Sequence, residues 1–429
     1  MYNAYITKIT NVRKHTNADR LQCGECFGNT VVVDMSIQDN QVGLYFPVDG
    51  QLSEEFALAN DLVRRKDENG NYVGGYLDPV KRNIKAIRLR GEKSDGLFLP
   101  LQTLAPFVDI TTLQVGDVIN TVNGHHICQK YIPRTSSPKE RSTTKKGSRK
   151  PKEYYPWFAE HADTAQLAYN LGAFTPGDIC YITLKMHGTS QRTAYTVKTS
   201  HKSNWVRRFL RLPAKVNSTW EYITGTRRVV LTDFDKETGF YGSDAFRKPY
   251  HDYFKGKLQK GEEVFYEVLG YVNESTLIMP AADNKKTNDK AFIRQYGPTT
   301  EFTYGCKPGE SIIRVYRMTL TNEDGYTVEY PTELVKQRCA EMGVNFVPIF
   351  DKFIYTTEED LLTRVDAFVD GVDPVGLTHV REGVVVRIDN KPTFKAYKAK
   401  NFSFKVLEGI CKAEATEADI EEAQELTEE

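Results

Sequence analysis

A lysine placed directly after an apolar, strand-like run is the feature that most constrains the fold of this chain. Residues 180–192 read CYITLKMHGTSQR. A buried ammonium group is costly unless it is paired with an opposite charge. Lys185 is therefore either a surface residue at the end of a strand, or an amine that is placed there for chemistry. Other charged residues in apolar runs bear on this choice.

Three further apolar runs contain such charged residues. VFYEVLGY has Glu267 inside an apolar strand, and EGVVVRI has Glu382 at the start of a strand. YKAKNFSFK contains Lys398 and Lys400, and side chains two residues apart on a strand point to the same face. Each feature is common on protein surfaces. Together they supply two carboxylates and three amines, a set that suits phosphoryl or nucleotidyl transfer.

The sequence disfavours several other classes of protein. It contains no GxxxxGKS or GxxxxGKT motif, which disfavours a P-loop enzyme. No apolar run approaches the length of a membrane span, and the start, MYNAYITKITNVRKH, does not resemble a signal peptide. The seven cysteines are scattered and odd in number, as in proteins of a reducing compartment. We therefore expect an intracellular, cytoplasmic protein with no membrane partner.

Composition divides the chain into four parts. Residues 1–127 contain short strands separated by turns, which predicts a small β-barrel like the OB fold that binds nucleic acid. Residues 128–153 form a basic linker with eight bases and one acid between Arg134 and Lys152. Residues 154–412 mix strands with helices, which are predicted over TAQLAYNL, YHDYFKGKL, PTELVKQRCAEM and TEEDLLTRVDAFV, and this indicates an α+β domain. Residues 413–429 form an acidic tail with eight acids and no base.

These charged runs resemble the ordered motifs of the covalent nucleotidyltransferases, the superfamily of DNA ligases, RNA ligases and mRNA capping enzymes. KMHGTS resembles the lysine signature, YEVLG the third motif, EGVVVR the fourth and YKAKNFSFK the fifth. His187 followed by Gly-Thr is similar to RNA ligases more than to DNA ligases or capping enzymes, which usually carry aspartate there. HTNADRL, LYFPVDGQLS and IRLRGEKSDGLFLP resemble the N-terminal OB domain of the Deinococcus and Naegleria type of RNA ligase.

The resemblance implies an α+β fold in which an OB-like β-barrel precedes an ATP-grasp-like nucleotidyltransferase (adenylyltransferase) domain with antiparallel sheets. It also implies an ATP-dependent RNA ligase. In such an enzyme the lysine forms lysyl-AMP, AMP passes to an RNA 5′-phosphate, and a 3′-hydroxyl then seals the strand, here at nicks in duplexes. The implied cofactors are ATP and a divalent metal, Mg²⁺ or Mn²⁺. The implied partner is RNA or an RNA-containing nicked duplex, and we expect a monomer.

The same resemblance assigns roles to individual residues. The implied catalytic residues are Lys185, Glu267, Glu382, Lys398 and Lys400, and the implied metal ligands are Glu267 and Glu382. The implied nucleotide-binding residues are Leu184, His187, Gly188, Tyr316, Arg227 and Arg228. In this assignment Glu267 bonds the ribose and Tyr316 stacks on the adenine, while the two lysines of the fifth motif contact the α-phosphate.

Two alternative functions stay open at this point. An mRNA capping guanylyltransferase uses similar chemistry, but capping enzymes carry a further OB domain after the fifth motif, and here 29 residues follow Lys400. A non-catalytic RNA-binding protein with a relic transferase domain is the second alternative. The presence of all five charged site residues weighs against it.

Overall fold

The computed structural model describes residues 2–132, 153–158, 161–202, 215–227, 229–235, 241–389 and 391–414. The described chain falls into two compact units. Of the described residues, unit 1 holds 2–132, 282–300 and 401–414, and unit 2 holds those from 153 to 281 and from 301 to 400. None of the helices in the described ranges has the length and apolar character needed to cross a membrane.

The regular elements are numbered in chain order. The strands are β1 Ala4–Lys8, β2 Thr10–Lys14, β3 Leu21–Cys26, β4 Asn29–Asp34, β5 Val42–Phe46, β6 Gly50–Leu52, β7 Arg64–Lys66, β8 Tyr72–Gly74, β9 Ala86–Leu89, β10 Glu92–Asp95, β11 Leu97–Pro100, β12 Val118–Ile119, β13 Thr121–Val122, β14 His125–His126, β15 Cys128–Lys130, β16 Glu153–Tyr154, β17 Ala165–Gln166, β18 Ile179–Lys185, β19 Thr189–Lys202, β20 Lys215–Gly225, β21 Val230–Leu231, β22 Glu262–Gly270, β23 Ala282–Asp283, β24 Thr299–Thr300, β25 Ser311–Thr321, β26 Thr327–Glu329, β27 Ile349–Ile354, β28 Gly383–Ile388 and β29 Lys395–Lys400. The helices are α1 Glu54–Ala59, α2 Lys248–Phe254, α3 Lys290–Tyr296, α4 Thr332–Met342, α5 Glu358–Val369 and α6 Phe402–Glu414.

Unit 1 is rich in short antiparallel strands, as the sequence predicts. Its larger sheets have the orders β11-β5-β1-β12 and β2-β3-β4, and its other strands form two-stranded ribbons. Ile6, Leu44 and Phe46 pack with Phe56 of α1 in the core. Among the described residues no sheet closes into a barrel, so the predicted OB-like barrel is not confirmed. Closure requires pairing between strands far apart in the chain, which the alternation of apolar residues does not specify.

Residues 282–300 and 401–412, which the sequence predicts in the second domain, lie in unit 1. Residues 282–300 are attached to it by an ion pair in which Arg88 Nη2 lies 2.8 Å from Asp289 Oδ2. Residues 401–414 are attached through Lys405, whose Nζ lies 2.6 Å from Asp95 Oδ2. The compact units therefore differ from the predicted domains in these segments, and the predicted boundaries stay a prediction.

Unit 2 contains two sheets with helices packed against them. The seven-stranded sheet has the order β21-β20-β19-β22-β25-β26, with β16 paired to β19. The five-stranded sheet has the order β17-β29-β28-β18-β27. Phe254 of α2 and Val335 of α4 pack with Val264 and Met318 of the larger sheet, and residues of α5 pack on the smaller sheet. The prediction of an α+β chain with antiparallel sheets is therefore confirmed.

Three of the four predicted helices are present as α2, α4 and α5. The predicted helix over TAQLAYNL is wrong. Ala165 and Gln166 instead form β17, which pairs in parallel with Tyr397 and Lys398 of β29, and short 3₁₀ turns follow. Pairing with a strand more than 200 residues away outweighs the local helical preference.

The chain passes from the smaller sheet to the larger one directly after Lys185. β18 lies between β28 and β27 in the five-stranded sheet, and β19 lies between β20 and β22 in the seven-stranded sheet. Residues 186–188 connect them. A Cβ atom on Gly188 would lie 2.4 Å from the carbonyl oxygen of Val268 and 2.9 Å from Cγ of Glu267. Only glycine lets the connection pass this close to β22.

Candidate active site

Lys185 and Lys400 converge on one buried carboxylate. In the five-stranded sheet Gly383 pairs with Lys185 on one side and with Lys400 on the other. Their amines reach the preceding residue, Glu382, whose Oε1 lies 2.7 Å from Lys185 Nζ and 3.3 Å from Lys400 Nζ. The side chain of Glu382 is 3% exposed and that of Lys185 is 21% exposed. Lys185 is therefore a compensated amine in a largely enclosed site rather than a surface lysine.

Lys398 adds a third cation beside this pair. It lies two residues before Lys400 on β29, so both side chains project from the same face of the sheet. Burial, and to a lesser degree repulsion from Lys400 and Lys185, lower the pKa of Lys398 to about 8, although the Glu382 carboxylate opposes this shift. Three amines around one carboxylate leave excess positive charge, which suits the oxygens of a phosphate.

The turn after Lys185 is held by a distant loop. The backbone N–H of His187 donates to the hydroxyl of Tyr304 at 2.7 Å, and the His187 ring meets Phe302 edge-on, with 4.7 Å between ring centres. His187 Nδ1 lies 4.0 Å from Glu382 Oε2. Tyr304 is buried and has a φ of 52°, a strained value for a bulky residue that its surroundings must impose. This loop thereby fixes the imidazole near the carboxylate.

A pocket of about 830 Å³, its solvent-facing mouth included, lies beside Lys185. The smaller sheet contributes Thr183, Leu184, Lys185, Val385, Arg387 and Ala396. The larger sheet contributes Ser190, Glu267 and Tyr316. The remaining walls are formed by His161, Thr164, Met186, Arg227, Thr332, Phe346, Val347 and Phe394. Apolar and aromatic walls with a few polar groups are typical of small-molecule sites.

Glu267 is the acidic group of this pocket. It lies opposite Ser190 in the larger sheet and accepts a hydrogen bond from the Ser190 hydroxyl at 3.1 Å. Burial raises the pKa of Glu267 to about 7, with Lys185 lowering it and Glu382 raising it. A divalent cation held by these two residues would offset the repulsion between their carboxylates, so their chemistry fits a hydrated metal ion. Among the described residues no group of three or more His, Cys, Asp or Glu side chains is arranged to hold a metal.

A buried arginine, Arg247, holds the backbone at Ser190 by hydrogen bonds. Arg247 is 2% exposed, and it donates to the Ser190 carbonyl oxygen at 3.2 Å and to the Thr189 hydroxyl at 2.8 Å. Its Nε also lies 3.0 Å from Asp244 Oδ1, so the guanidinium is compensated. These bonds fix the first residues of β19. They thereby fix the serine that orients Glu267.

Tyr316, which lines the pocket, is hydrogen-bonded to His161, a residue that precedes Lys185 in the chain. His161 Nε2 lies 2.8 Å from the Tyr316 hydroxyl, and the two rings meet edge-on. Burial and nearby cations, with Arg227 first, lower the pKa of His161 to about 3, so this ring is neutral. Arg227 Nη1 in turn lies 3.5 Å from Asp163 Oδ1. The neighbouring candidate, Arg228, lies outside the described residues.

The structure thus separates the predicted residues into two adjoining sets. The pocket wall includes Leu184, Lys185, Glu267, Tyr316 and Arg227. Around the Lys185 amine and the turn after it lie Glu382, Lys400, Lys398, His187 and Gly188, which are not among the described residues of the wall. The sequence analysis missed His161, Tyr304, Arg247, Phe346 and Phe394. His161 and Tyr304 contact partners 155 and 117 residues away, and no local pattern reports such contacts.

We compared the chain with known protein families, sequences and solved structures. No protein family model and no curated protein sequence matches the chain. A variant of Naegleria gruberi RNA ligase with ATP and Mn superposes with a TM-score of 0.57 at 15% identity, covering 94% of this chain and 98% of that one. A variant with AMP and Mn gives 0.57 at 16% identity, with coverages of 94% and 97%. The RNA ligase with PPi gives 0.55 at 15% identity, also with 94% and 97%.

At these identities the likeness establishes the fold. The chain shares the fold of these Naegleria gruberi RNA ligase structures over 94% of its length. The resemblance noted in the sequence is therefore confirmed at the level of the fold.

Proposed function

We propose that this protein is an ATP-dependent RNA ligase that forms lysyl-AMP on Lys185. AMP then passes to an RNA 5′-phosphate, and that end is sealed to a 3′-hydroxyl, at nicks in duplexes. One observation carries the proposal: the Lys185 amine lies at a pocket with apolar and aromatic walls, 2.7 Å from the buried Glu382 carboxylate. The fold supports it, because the solved structures that share it are of an RNA ligase with ATP, AMP and Mn.

In the first step Lys185 Nζ attacks the α-phosphorus of ATP. A P–N bond forms, the bond from that phosphorus to the bridging oxygen breaks, and pyrophosphate leaves. The amine must be unprotonated to attack. Glu382 Oε1 is the group placed to take its proton, at 2.7 Å.

Other residues of the site stabilise and orient the nucleotide. Lys398 and Lys400 contact the oxygens of the α-phosphate, where negative charge grows in the transition state. Glu267 accepts a hydrogen bond from the ribose, and its neighbour Ser190 keeps it in place. The aromatic side chains of Tyr316, Phe346 and Phe394 form walls for the base.

A divalent metal, Mg²⁺ or Mn²⁺, completes the proposed site. When bound, such an ion neutralises phosphate charge in the transition state. Glu267 and Glu382 are the residues that would hold it, through its water ligands, since Mg²⁺ usually keeps several waters.

The later steps return Lys185 to its free form. An oxygen of the RNA 5′-phosphate attacks the AMP phosphorus, the P–N bond breaks, and AMP is carried by the RNA end. A 3′-hydroxyl then attacks that 5′-phosphate, a phosphodiester forms and AMP leaves. We also propose that the protein is a monomer. Its residues 1–127 would form an OB-like barrel, and its residues 154–412 an ATP-grasp-like domain.

Label transfer from α-labelled ATP, with divalent metal present, tests the first step on a denaturing gel. We expect label on the wild-type protein and none on Lys185→Ala. Lys352→Ala is the matched control, because this lysine of β27 is half-exposed, and its label should equal that of the wild type. The labelled protein should then seal a nicked duplex that carries a 3′-hydroxyl RNA end.

Two results would contradict the proposal. Label from GTP in place of ATP would favour a capping guanylyltransferase. Absence of label from either nucleotide, in folded protein free of bound AMP, would leave a non-catalytic RNA-binding protein.

A further inference from the structure

Exposed basic side chains gather on a part of unit 1 that the proposed active site does not use. They come from the β9–β10 hairpin, Ala86–Asp95, and from residues 282–300, which together hold seven basic and four acidic residues. The exposed basic residues are Arg90, Lys93, Lys285, Lys286, Lys290 and Arg294. We call these six residues the basic face.

Several contacts join the two segments into one surface. Asp289 caps α3 by accepting hydrogen bonds from the next turn through Oδ1, while its Oδ2 lies 2.8 Å from Arg88 Nη2. Lys290, the first residue of α3, therefore lies next to the hairpin. Phe402 of α6 lies beneath Arg88 and Lys93, with ring-centre distances of 5.6 and 5.3 Å.

The acidic residues of these segments are occupied within the fold. Asp289 forms an ion pair with Arg88 and caps the N-terminus of α3. Asp283 accepts a hydrogen bond from the backbone N–H of Lys285 at 3.0 Å. Glu92 lies 3.0 Å from Arg13, and Asp95 lies 2.6 Å from Lys405.

Several cations of the basic face have no charged partner within the described residues. Within the described ranges, Lys285, Lys290 and Arg294 take part in no ion pair. Because the acids are at most partly exposed and bond within the fold, while the six cations are exposed, the exposed part of this surface is positive.

We propose that the basic face binds the phosphate backbone of the nucleic acid substrate, an RNA-containing duplex, without reading its sequence. The inference rests on the proposed ligase function. Long basic side chains that neutralise phosphates release counterions from a duplex, and this binding is independent of sequence and sensitive to salt. The basic face is separate in the chain from Lys185 and its partners, so it acts in holding the duplex and not in the reaction with ATP.

The test is a charge-reversal variant, Lys285→Glu with Lys290→Glu and Arg294→Glu. Binding of a fluorescent nicked duplex is measured over a range of salt concentrations, with chelator present so that no sealing occurs. The dissociation constant should rise about tenfold or more, and the slope of log affinity against log salt should flatten by about 2 to 3, since each phosphate contact contributes about 0.7 to 0.9. Label transfer from ATP without RNA should stay within twofold of the wild type.

A matched control carries the same charge change elsewhere: Lys248→Glu with Lys255→Glu and Lys336→Glu. These lysines are about as exposed, and each pairs with a nearby carboxylate in unit 2. Its duplex affinity should exceed that of the first variant by at least about fivefold. Equal losses in both variants would mean that net charge alone decides binding, and would overturn the proposal, as would unchanged binding in the first variant.

Two further arms separate the remaining outcomes. The neutral variant Lys285→Gln with Lys290→Gln and Arg294→Gln replaces the first one if charge reversal prevents folding, and its affinity should fall about threefold or more. Binding of the wild type to vesicles of anionic phospholipid but not to the duplex would assign the surface to a membrane and overturn the proposal. Wild-type protein that takes no label from ATP would refute the ligase function itself, whatever the binding result.

Discussion

Replacing Lys398 by methionine should stabilise the fold while it impairs the reaction. Within the described residues no carboxylate lies at ion-pair distance from Lys398, although Lys400 and Lys185 are near enough to repel it. Burial is the main reason that its pKa falls from 10.5 to about 8. Methionine has a similar length and carries no charge, so it removes the cost of keeping a proton on this buried amine.

The size and the pH dependence of the effect follow from the pKa. A fall from 10.5 to about 8 corresponds to an upper limit of about 3 kcal/mol for holding the charged form in the folded state. This cost is complete below pH 8, where folded and unfolded chains are both protonated at this residue. It declines as pH rises from 8 to 10.5, because the folded protein loses the proton first. Lys398→Met should therefore raise the free energy of unfolding by about 1 to 3 kcal/mol at pH 7, and by less at pH 10.

Urea unfolding at pH 7 and pH 10 measures this gain, and label transfer from ATP measures the activity. Lys395→Met on the same strand is the matched control, since Lys395 is exposed, and its stability should stay within about 0.5 kcal/mol of the wild type. Label transfer to Lys398→Met should fall at least about tenfold, because one cation of the phosphate site is gone. Loss of stability in Lys398→Met at pH 7, or a gain that is equal at both pH values, would show that the buried charge of Lys398 does not destabilise the fold.

Three more predictions follow from the site. The rate of label transfer should rise between pH 6 and 8 as Glu267, with its pKa near 7, ionises, and this rise should be absent in Glu267→Gln. Tyr304→Phe removes the acceptor of the His187 N–H and should cost about 1 kcal/mol in urea unfolding. It should also slow label transfer several-fold at an unchanged KM for ATP, and this slowing should vanish in a His187→Ala background, because the tyrosine acts by placing the imidazole. Gly188→Ala should lower the free energy of unfolding by about 2 kcal/mol or more, since the added carbon would lie 2.4 Å from the Val268 carbonyl; a thermal midpoint equal to that of the wild type would contradict this.

Local patterns identified much of the fold of unit 2. Apolar runs predicted strands around Lys185, Glu267, Lys398 and Lys400, and the structure has β18, β22 and β29 there. The spacing of the two lysines on β29 also predicted that they share a face. These predictions depend only on neighbouring residues, so sequence reasoning can reach them.

Other features depend on contacts that no local pattern encodes. The register that sets Gly383 between Lys185 and Lys400 joins segments about 200 residues apart, and only the folded sheets define it. The helix predicted over TAQLAYNL failed for the same reason, because a distant strand pairs with it. Residues 282–300 join unit 1 through the ion pair of Arg88 with Asp289, which their composition does not predict.

The most direct test of the central claim is to locate AMP on the protein. The wild-type protein is incubated with ATP and divalent metal, and its intact mass and its peptides are then measured by mass spectrometry under conditions that preserve the acid-labile P–N bond. We expect a mass increase of one adenylyl group (AMP less one water) on the peptide that contains Lys185, and its loss on treatment with pyrophosphate. An adduct on Lys398 or Lys400, or an unmodified protein that is folded and free of bound AMP, would contradict it.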